Sequence, residues 1–262
     1  MQVNNPARAR LERGELSLGV GVRAARTVDI AKMMKSSGYD WLFIDLEHGT
    51  MSLEFASTIA VAALDTGIAP IVRVPFMQHH MATRALDGGA LGIVMPHVDT
   101  PEQARDIADH LKYPPMGHRS VAGGQAIFDF KPMKIADLIA ESNRATLVVV
   151  MLETPTAIAN ADKIAAVPGI DVLLIGTNDL AAEMGIPGEF GHERIAAAYE
   201  TVIAACKKHG KWSGMGGVYN QPLLGKYVGM GIQMVLAGND VGFLMAAGAA
   251  RAQEMREVAR KA

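Results

Sequence analysis

Short apolar runs alternate along this chain with longer stretches in which apolar residues recur every three or four positions. The short runs predict eight β-strands, at Leu16–Val22, Trp41–Ile44, Ile71–Val74, Leu91–Met95, Leu147–Leu152, Val172–Ile175, Trp212–Met215 and Met234–Ala237. The longer stretches predict helices between the strands, at Val28–Ser37, Leu53–Thr66, Met81–Asp87, Glu102–Leu111, Ile158–Val167, Ile195–Lys208 and Leu223–Met230. Strands that are apolar on both faces are typical of a parallel sheet covered by helices.

Eight strands that alternate with helices over 262 residues predict a (β/α)₈ barrel, the TIM barrel. A doubly wound open sheet is the structural alternative, because it shows the same alternation. No linker rich in proline, glycine or serine divides the chain, which favours a single domain over residues 1–262. The stretch Phe243–Ala262 begins apolar and ends charged, and it predicts a helix that caps the barrel or packs on another subunit.

The charge balance argues against a nucleic-acid-binding protein. The formal net charge is −2, and no basic patch is visible along the chain. Arg8, Arg10 and Arg13 form a short basic tract, but Glu12 and Glu15 interrupt it. A solvated N-terminal extension is therefore expected there.

The single cysteine, Cys206, excludes an internal disulfide and a cysteine-rich zinc site. Its position in a predicted helix indicates packing in the core. The N-terminus lacks the apolar stretch of a signal peptide, and no apolar run is long enough to span a bilayer. The sequence therefore predicts a cytoplasmic protein with no membrane partner.

Two carboxylates follow the ends of predicted strands. Glu153 comes directly after Leu147–Leu152, and Asp179 comes shortly after Val172–Ile175. Because ligands of parallel α/β folds bind at the carboxyl ends of the strands, these acids are candidate ligands of Mg²⁺ or Mn²⁺. The main-chain N–H groups of Asn178 and Asp179 are candidate donors to a substrate carboxylate. The alternative is that both acids only begin helices, where acids are favoured in any protein.

Two further strand ends carry candidate catalytic groups. Asp45 and His48 follow the second strand, and a carboxylate beside an imidazole fixes its tautomer and raises its basicity. Arg73 lies within the third strand, where an unpaired charge is costly. It is predicted to bind a carboxylate or an enolate oxygen. A chance charged loop and a buried salt bridge are the structural alternatives.

Two other segments bear on the site. Residues 113–124 are rich in glycine and proline and predict a loop, which either covers an active site or is a plain surface excursion. His97 ends the fourth strand and is the best placed of the remaining histidines. An ordinary polar loop role is the stronger expectation for His97 and for the other lone histidines.

Six motifs occur in order along the chain. They are Asp45-Leu46-Glu47-His48-Gly49, Arg73-Val74-Pro75, Arg84-Ala85-Leu86-Asp87 followed by Gly89-Ala90, Gly92-Ile93 and Pro96, then Gly117 with Arg119, Leu152-Glu153-Thr154, and Ile175-Gly176 with Asp179-Leu180. Together they resemble the HpcH/HpaI aldolase family, the class II pyruvate aldolases of the phosphoenolpyruvate/pyruvate superfamily. The resemblance covers nearly the whole chain.

The resemblance implies specific roles for the candidate residues. It implies a (β/α)₈ barrel that binds Mg²⁺, Mn²⁺ or Co²⁺ through Glu153 and Asp179. It implies His48 as general acid/base, held by Asp45, and Arg73 as the residue that contacts the keto or enolate oxygen of pyruvate.

The resemblance also implies an assembly. The family pattern is a hexamer built as a trimer of dimers, with the last helix swapped between partners and active sites near the interfaces. It implies that Asp87 lies near the active site of a neighbouring subunit.

The chain departs from the family pattern at positions that concern the substrate. Met151 stands where many relatives have glutamine, two residues before the metal-binding glutamate, so a polar contact near the keto oxygen is missing or replaced. Gly117-His118-Arg119-Ser120 and Thr177-Asn178 also differ from the motifs common in the family. These departures leave the choice between pyruvate and hydroxypyruvate open.

The sequence thus predicts a metal-dependent enzyme that reversibly cleaves a 4-hydroxy-2-keto acid to pyruvate, or hydroxypyruvate, and an aldehyde. No predicted strand carries a lysine at its exit, which argues against a Schiff-base mechanism. One alternative is a citrate-lyase-like acyl-CoA lyase on the same barrel, although no nucleotide site is obvious. The other is a non-catalytic keto-acid binding protein, which would be expected to lack one of the candidate residues.

Overall fold

The computed structural model describes residues 2–261, with side chains up to residue 260. Eight parallel strands close into one barrel in the order β1 to β8. They are β1 Ser17–Val22, β2 Trp41–Asp45, β3 Ala69–Arg73, β4 Gly92–Met95, β5 Leu147–Leu152, β6 Val172–Gly176, β7 Trp212–Gly216 and β8 Met234–Asn239. The predicted (β/α)₈ barrel is confirmed, and pairing of β1 with β8 rules out the open sheet.

Helices surround the barrel and connect its strands. They are α1 Pro6–Glu12, α2 Asp29–Ser36, α3 Leu53–Thr66, α4 His79–Asp87, α5 Pro101–Leu111, α6 Ile135–Ala145, α7 Pro155–Ala159, α8 Ala161–Ala165, α9 Thr177–Glu183, α10 Glu193–His209, α11 Gln221–Met230 and α12 Asp240–Lys261. The predicted helical stretches are confirmed, except that Ile158–Val167 is two short helices that meet at Asn160. Helices α1 and α6 were not predicted.

Alternate residues of β2 and of most other strands enter two separate hydrophobic clusters. Leu42 and Ile44 of β2 pack between the sheet and the helices, whereas Trp41 and Phe43 of the same strand point into the barrel. Trp41 fills the interior so closely that a Cβ atom at Gly19 would lie 2.1 Å from its ring. The barrel is therefore a packed core, and space for a ligand is left only at its ends.

A buried polar network closes the amino end of the barrel. The Lys112 ammonium is 2 % exposed and donates to Thr146 O at 2.7 Å and to Asp171 Oδ2 at 3.2 Å. Arg8 of α1 binds the other oxygen of Asp171 at 2.6 Å, and Leu11 of α1 is buried. The expectation of a solvated N-terminal extension is therefore wrong, because its arginine is neutralised by an acid 163 residues away.

Residues 113–124 also lie at the amino end of the barrel. The main-chain N–H of His118 donates to Asp109 O, and that of Arg119 donates to Lys112 O. The Arg119 guanidinium binds Asp87 at 2.6 Å, near the end of α4. The segment is a loop, as predicted, but within this chain it lies away from the carboxyl ends of the strands and does not cover them.

Helix α12 packs on the barrel only through its first turn. Phe243 lies beside Gly238 and Tyr39, and the helix from residue 241 to residue 260 is exposed. Within residues 2–261, no helix combines the length and the apolar character that crossing a membrane requires.

Cys206 is buried in α10, as predicted, and burial raises the pKa of its thiol to about 12.

Candidate active site

A pocket of about 240 Å³ opens at the carboxyl ends of the strands. Its floor is made by barrel-interior side chains, Phe43, Met151 and Leu174. Its walls are the strand ends and the residues after them, namely Gly21, Arg23, Asp45, His48, Arg73, Gly176, Thr177, Asn178, Asp179, Gly216, Gly217, Tyr219, Leu236 and Asn239. The wall therefore includes most of the residues proposed from the sequence, and no lysine is among the described residues that line it.

Glu153 directly follows β5 and is as deeply buried as Asp45, each at 1 % exposure. Its Oε2 accepts a hydrogen bond of 2.8 Å from the main-chain N–H of His97. Burial raises the pKa of the Glu153 carboxyl to about 7, and the negative charges of Asp179 and Glu47 act in the same direction. A cation beside this carboxylate would offset both effects.

Gly176 provides the space that the Glu153 carboxylate occupies. A Cβ atom at Gly176 would lie 2.4 Å from Glu153 Oε1 and 2.7 Å from its Cγ. The backbone of Gly176 is in an ordinary extended conformation, with φ −85° and ψ 90°. The glycine is therefore required by space and not by backbone strain.

Asp179 lies in the first turn of α9, directly after β6. Thr177 anchors this turn, because its hydroxyl donates to Gly216 O at 2.8 Å and contacts the Tyr199 hydroxyl at 2.7 Å. Asn178 and Asp179 are exposed to the pocket. The role of their main-chain N–H groups in carboxylate binding stays a prediction.

The donor set of this region suits a hard divalent cation. Glu153 and Asp179 come from adjacent strands β5 and β6 and are close enough that the charge of Asp179 raises the pKa of Glu153. Two carboxylates close to each other, one of them buried, are typical ligands of Mg²⁺ or Mn²⁺. The residues present therefore fit the metal expected from the sequence.

Asp45 and Arg73 form a paired unit across β2 and β3. They are register partners in the sheet, and Arg73 donates to Asp45 Oδ1 from Nε at 3.0 Å and to Oδ2 from Nη2 at 2.7 Å. Burial alone would raise the pKa of Asp45, but the hydrogen bonds and charge of Arg73 outweigh it and lower that pKa. The Arg73 guanidinium is thus paired with the Asp45 carboxylate and held in one orientation at the pocket.

The predicted contact between the Asp45 carboxylate and the His48 imidazole is wrong. Asp45 Oδ1 accepts from the main-chain N–H groups of Glu47 and His48, at 3.1 and 3.2 Å. The Asp45 carboxylate accepts its other hydrogen bonds from Arg73. Asp45 therefore holds the main chain of the turn that carries His48, but it does not contact the His48 ring. The ring is 54 % exposed and lies 3.9 Å from Glu47 Oε2.

Glu47 and His97 complete the acidic side of the site. Glu47 Oε2 lies 2.9 Å from Arg73 Nη1, as an ion pair without hydrogen-bond geometry. His97 lies between the two glutamates, with Nδ1 3.1 Å from Glu153 and Nε2 3.5 Å from Glu47. Its positive φ of 54° directs its N–H at Glu153. Glu47 belonged to a motif, but its part in this cluster was not predicted.

Three wall residues with long polar side chains or amides were not predicted from the sequence. Arg23 follows β1, Tyr219 follows β7, and Asn239 ends β8. The signal that could have found them is the one that identified Glu153 and Asp179, namely a position at or just past the end of a strand. Arg23 in particular adds a second guanidinium to the pocket.

Met151 and Asp87 were both predicted to contact the substrate, but only Met151 lies at the pocket. Met151 lies in the floor of the pocket, as an apolar side chain. Asp87 lies outside the pocket wall, paired with Arg119 near the amino end of the barrel. Its predicted approach to the active site of a neighbouring subunit stays a prediction.

A separate histidine–aspartate group lies outside this pocket. His79 of α4 and His110 of α5 stack at 4.0 Å, and His79 Nε2 contacts Asp106 of α5 at 2.7 Å. Their ligand atoms lie within 4.8 Å of one another. None of the three lines the pocket, so this group is distinct from the Glu153 and Asp179 pair.

Comparison with known proteins agrees with this geometry. The family model described as HpcH/HpaI aldolase/citrate lyase matches residues 23–247. The 4-hydroxy-4-methyl-2-oxoglutarate aldolase tasA of Hapsidospora irregularis is 44 % identical over 79 % of this chain and 77 % of its own. The 2-keto-3-deoxy-L-rhamnonate aldolase of Escherichia coli K12 is 33 % identical over 81 % of this chain and 79 % of its own.

A solved structure shows the same architecture. The HpcH/HpaI aldolase from Desulfitobacterium hafniense superposes with a TM-score of 0.90 at 29 % identity, over 95 % of this chain and 96 % of that one. Class II aldolases of this kind depend on a divalent metal ion. With a family match over most of its length and aldolases among its similar relatives, this chain is an aldolase and belongs to the HpcH/HpaI aldolase/citrate lyase family.

Proposed function

We propose that this aldolase cleaves a 4-hydroxy-2-keto acid reversibly to pyruvate and a carbonyl product, with Glu153 and Asp179 as ligands of a divalent metal ion. The observation that carries the proposal is the arrangement of the strand ends. Glu153, a buried carboxylate with a raised pKa, lies against Gly176, and Gly176 lines one pocket together with Asp179, Arg73 and His48. Hydroxypyruvate remains the alternative donor.

The metal ion, when bound, supplies a Lewis acid for the carboxylate and keto oxygens of the substrate. The chain supplies the remaining groups. Arg73 uses Nε and Nη2 for Asp45, and its Nη1 lies 2.9 Å from Glu47 Oε2 without a hydrogen bond, so the N–H groups of Nη1 are the ones proposed to donate to the keto oxygen. As the C3–C4 bond breaks, its electron pair moves toward C3 and negative charge grows on that oxygen, where a fixed guanidinium stabilises it.

His48 is the group proposed to move the proton. Its ring lines the pocket and is exposed enough to reach a bound substrate. In the cleavage direction His48 accepts the proton of the 4-hydroxyl group, and the carbonyl of the second product forms at C4. A proton then adds to C3 of the enolate and gives the methyl group of pyruvate.

The test of the proposal needs no knowledge of the second product. Metal-stripped protein is mixed with pyruvate in D₂O, with and without Mg²⁺, and the methyl signal is followed by NMR. We expect loss of methyl protons only with metal, because enolate formation exposes C3 to solvent deuterium. No exchange by metal-loaded protein would contradict pyruvate as the donor, and repeating the experiment with hydroxypyruvate then tests the alternative.

The variant His48→Ala separates binding from proton transfer. We expect aldol cleavage to slow by about 100-fold or more, while pyruvate affinity, measured by titration calorimetry with Mg²⁺ present, stays close to that of the original protein. His80→Ala is the matched control, since His80 is exposed and lies outside the pocket wall. Unchanged cleavage by His48→Ala would remove this residue from the mechanism.

We further propose that α12 packs on another copy of the chain, in a hexamer with swapped C-terminal helices. Apolar side chains on α12 are exposed in the single chain: Val241, Phe243, Leu244, Met245, Met255 and Val258. Such a face is usually covered by a partner. Light scattering should give the mass of six chains, and Leu244→Glu should reduce it. Gln253→Glu adds the same charge to the same helix as a control, and equal masses for both variants would contradict the packing.

A further inference from the structure

Two imidazoles and a carboxylate meet between helices α4 and α5, outside the pocket at the strand ends. His79 is the first residue of α4. Asp106 and His110 lie four residues apart on α5, so they share one face of that helix. One ligand atom from each of the three side chains lies within 4.8 Å of the other two. The proposed cleavage uses none of them.

The Asp106 carboxylate lies between the two rings. Its Oδ2 contacts His79 Nε2 at 2.7 Å, and its Oδ1 lies 3.4 Å from His110 Nδ1. Among the described side chains, no arginine or lysine forms an ion pair with Asp106. Burial lowers the pKa of His79 in spite of the hydrogen bond to Asp106, which favours the neutral ring that a metal ligand must have. A bound cation would therefore balance the charge of this carboxylate.

The separations of these atoms are close to those of a metal site. Ligands at about 2.0–2.1 Å from a tetrahedral Zn²⁺ lie about 3.3–3.4 Å from one another. The two distances from the Asp106 oxygens, 2.7 and 3.4 Å, are near this value. Small side-chain adjustments are therefore enough to place all three groups around one ion.

The orientation of the rings decides which side chain must adjust. The rings of His79 and His110 are stacked, with centroids 4.0 Å apart and an angle of 5° between their planes. Because an imidazole nitrogen binds a metal in the plane of its ring, one ring has to turn to face the same ion. The His110 side chain is 45 % exposed, and its Nδ1 hydrogen bonds to Asp106 O of the same helix. His79 is 16 % exposed and is held by Asp106, so His110 is the ring that can turn.

The two helices are held together independently of an ion. Ala82 and Ala85 of α4 and Ala104 and Ile107 of α5 are buried in the same hydrophobic cluster. Groups on packed helices are positioned more precisely than groups on loops. The scaffold of the site is therefore already formed.

We propose that His79, Asp106 and His110 bind a late first-row divalent metal ion such as Zn²⁺, and that the ion links α4 to α5. Two imidazoles suit Zn²⁺ better than Mg²⁺, whereas the oxygen pair proposed at Glu153 and Asp179 suits Mg²⁺. The two sites therefore differ in the ion that they favour. Three protein ligands leave the fourth position of a tetrahedral ion to water.

Titration calorimetry with Zn²⁺ tests the proposal on metal-stripped protein in excess Mg²⁺, which competes weakly for imidazole. We expect the original protein to bind one more Zn²⁺ per chain than His110→Ala does, because the variant loses a ligand. Its affinity should fall by about 100-fold or more, beyond the roughly 10- to 100-fold that loss of a partner behind a ligand costs. His79→Ala should show the same loss. His110 is half exposed, so its replacement tests the site without opening a cavity in the core.

His209→Ala is the matched control, since His209 forms a single pair with Asp162, at 2.9 Å on the surface. It should keep both the number of bound Zn²⁺ ions and their affinity. Equal zinc binding by the original protein and His110→Ala would overturn the proposal. Equal losses in His110→Ala and His209→Ala would also overturn it, because zinc would then bind surface histidines without selection.

The melting temperature tests the link between the helices. Glu153→Gln removes a proposed ligand of the other site, so any remaining effect of Zn²⁺ is expected to come from α4 and α5. Zn²⁺ should raise the melting temperature of Glu153→Gln, because an ion that binds the folded chain stabilises it. The double variant Glu153→Gln/His110→Ala should show no such rise. The same rise in both variants would contradict the proposal.

Discussion

Replacing Glu153 by glutamine should lower kcat by about 10³-fold or more, because it removes a charged metal ligand from a site where one fixed electrostatic contact is worth several kcal/mol. Glutamine keeps the size of the side chain, and its carbonyl oxygen can still accept from the N–H of His97. Cleavage kinetics at saturating Mg²⁺ and calorimetric Mg²⁺ binding measure the loss.

The stability of the variant distinguishes a lost ligand from a damaged fold. Burial disfavours the charge of Glu153 in the metal-free protein, so the metal-free Glu153→Gln variant should melt at the same temperature as the original protein or higher. Glu183→Gln is the matched control, as an exposed acid at the end of α9. Turnover within tenfold of the original in Glu153→Gln would refute the metal assignment.

Replacing Gly176 by alanine should be nearly as damaging, although it adds only one methyl group. That methyl would occupy space 2.4 Å from Glu153 Oε1, so either the carboxylate or β6 must move. A shift of about 1 Å in a catalytic group can cost about 100-fold in rate, and overpacking of this kind destabilises a protein by about 1–3 kcal/mol. We expect both effects, together with weaker Mg²⁺ binding.

Gly216 offers the matched comparison for this change. It ends β7 and is the register partner of Gly176, but a Cβ there would meet only ordinary contacts, the nearest at 3.6 Å from Leu236. Gly216→Ala should therefore bind Mg²⁺ as the original protein does. Equal loss of Mg²⁺ affinity in both variants would mean that crowding of Glu153 is not the cause.

The barrel could be predicted from the sequence because its physical cause is local. Strands that are buried on both faces must be apolar throughout, and runs such as Leu147–Leu152 show this directly. The carboxylates could be predicted for a related reason, since the end of an apolar run marks the end of a strand. Helix α1 could not, because its arginine is stabilised by Asp171, whose proximity depends on the closed barrel.

The pairing of side chains within the site was the least predictable part. Asp45 and His48 are three residues apart and were expected to meet, yet the carboxylate is bound by Arg73, 28 residues away on the next strand. Only the register of β2 with β3 brings them together.

The location of the loop at residues 113–124 was more predictable, because the loop follows a helix. Helix-to-strand connections lie at the amino end of a barrel, so its location could have been inferred from the order of elements alone.

The contacts of α1 have a consequence for the order in which the molecule forms. During synthesis α1 leaves the ribosome before the strands of the barrel, but the atoms that hold Arg8, Thr146 O and Asp171 Oδ1, are made 138 and 163 residues later. A seven-residue helix is too short to persist alone in water. Helix α1 is therefore expected to fold only after β5 has been made and the chain has reached Asp171, just before β6, so its packing is a late step in the assembly of the barrel.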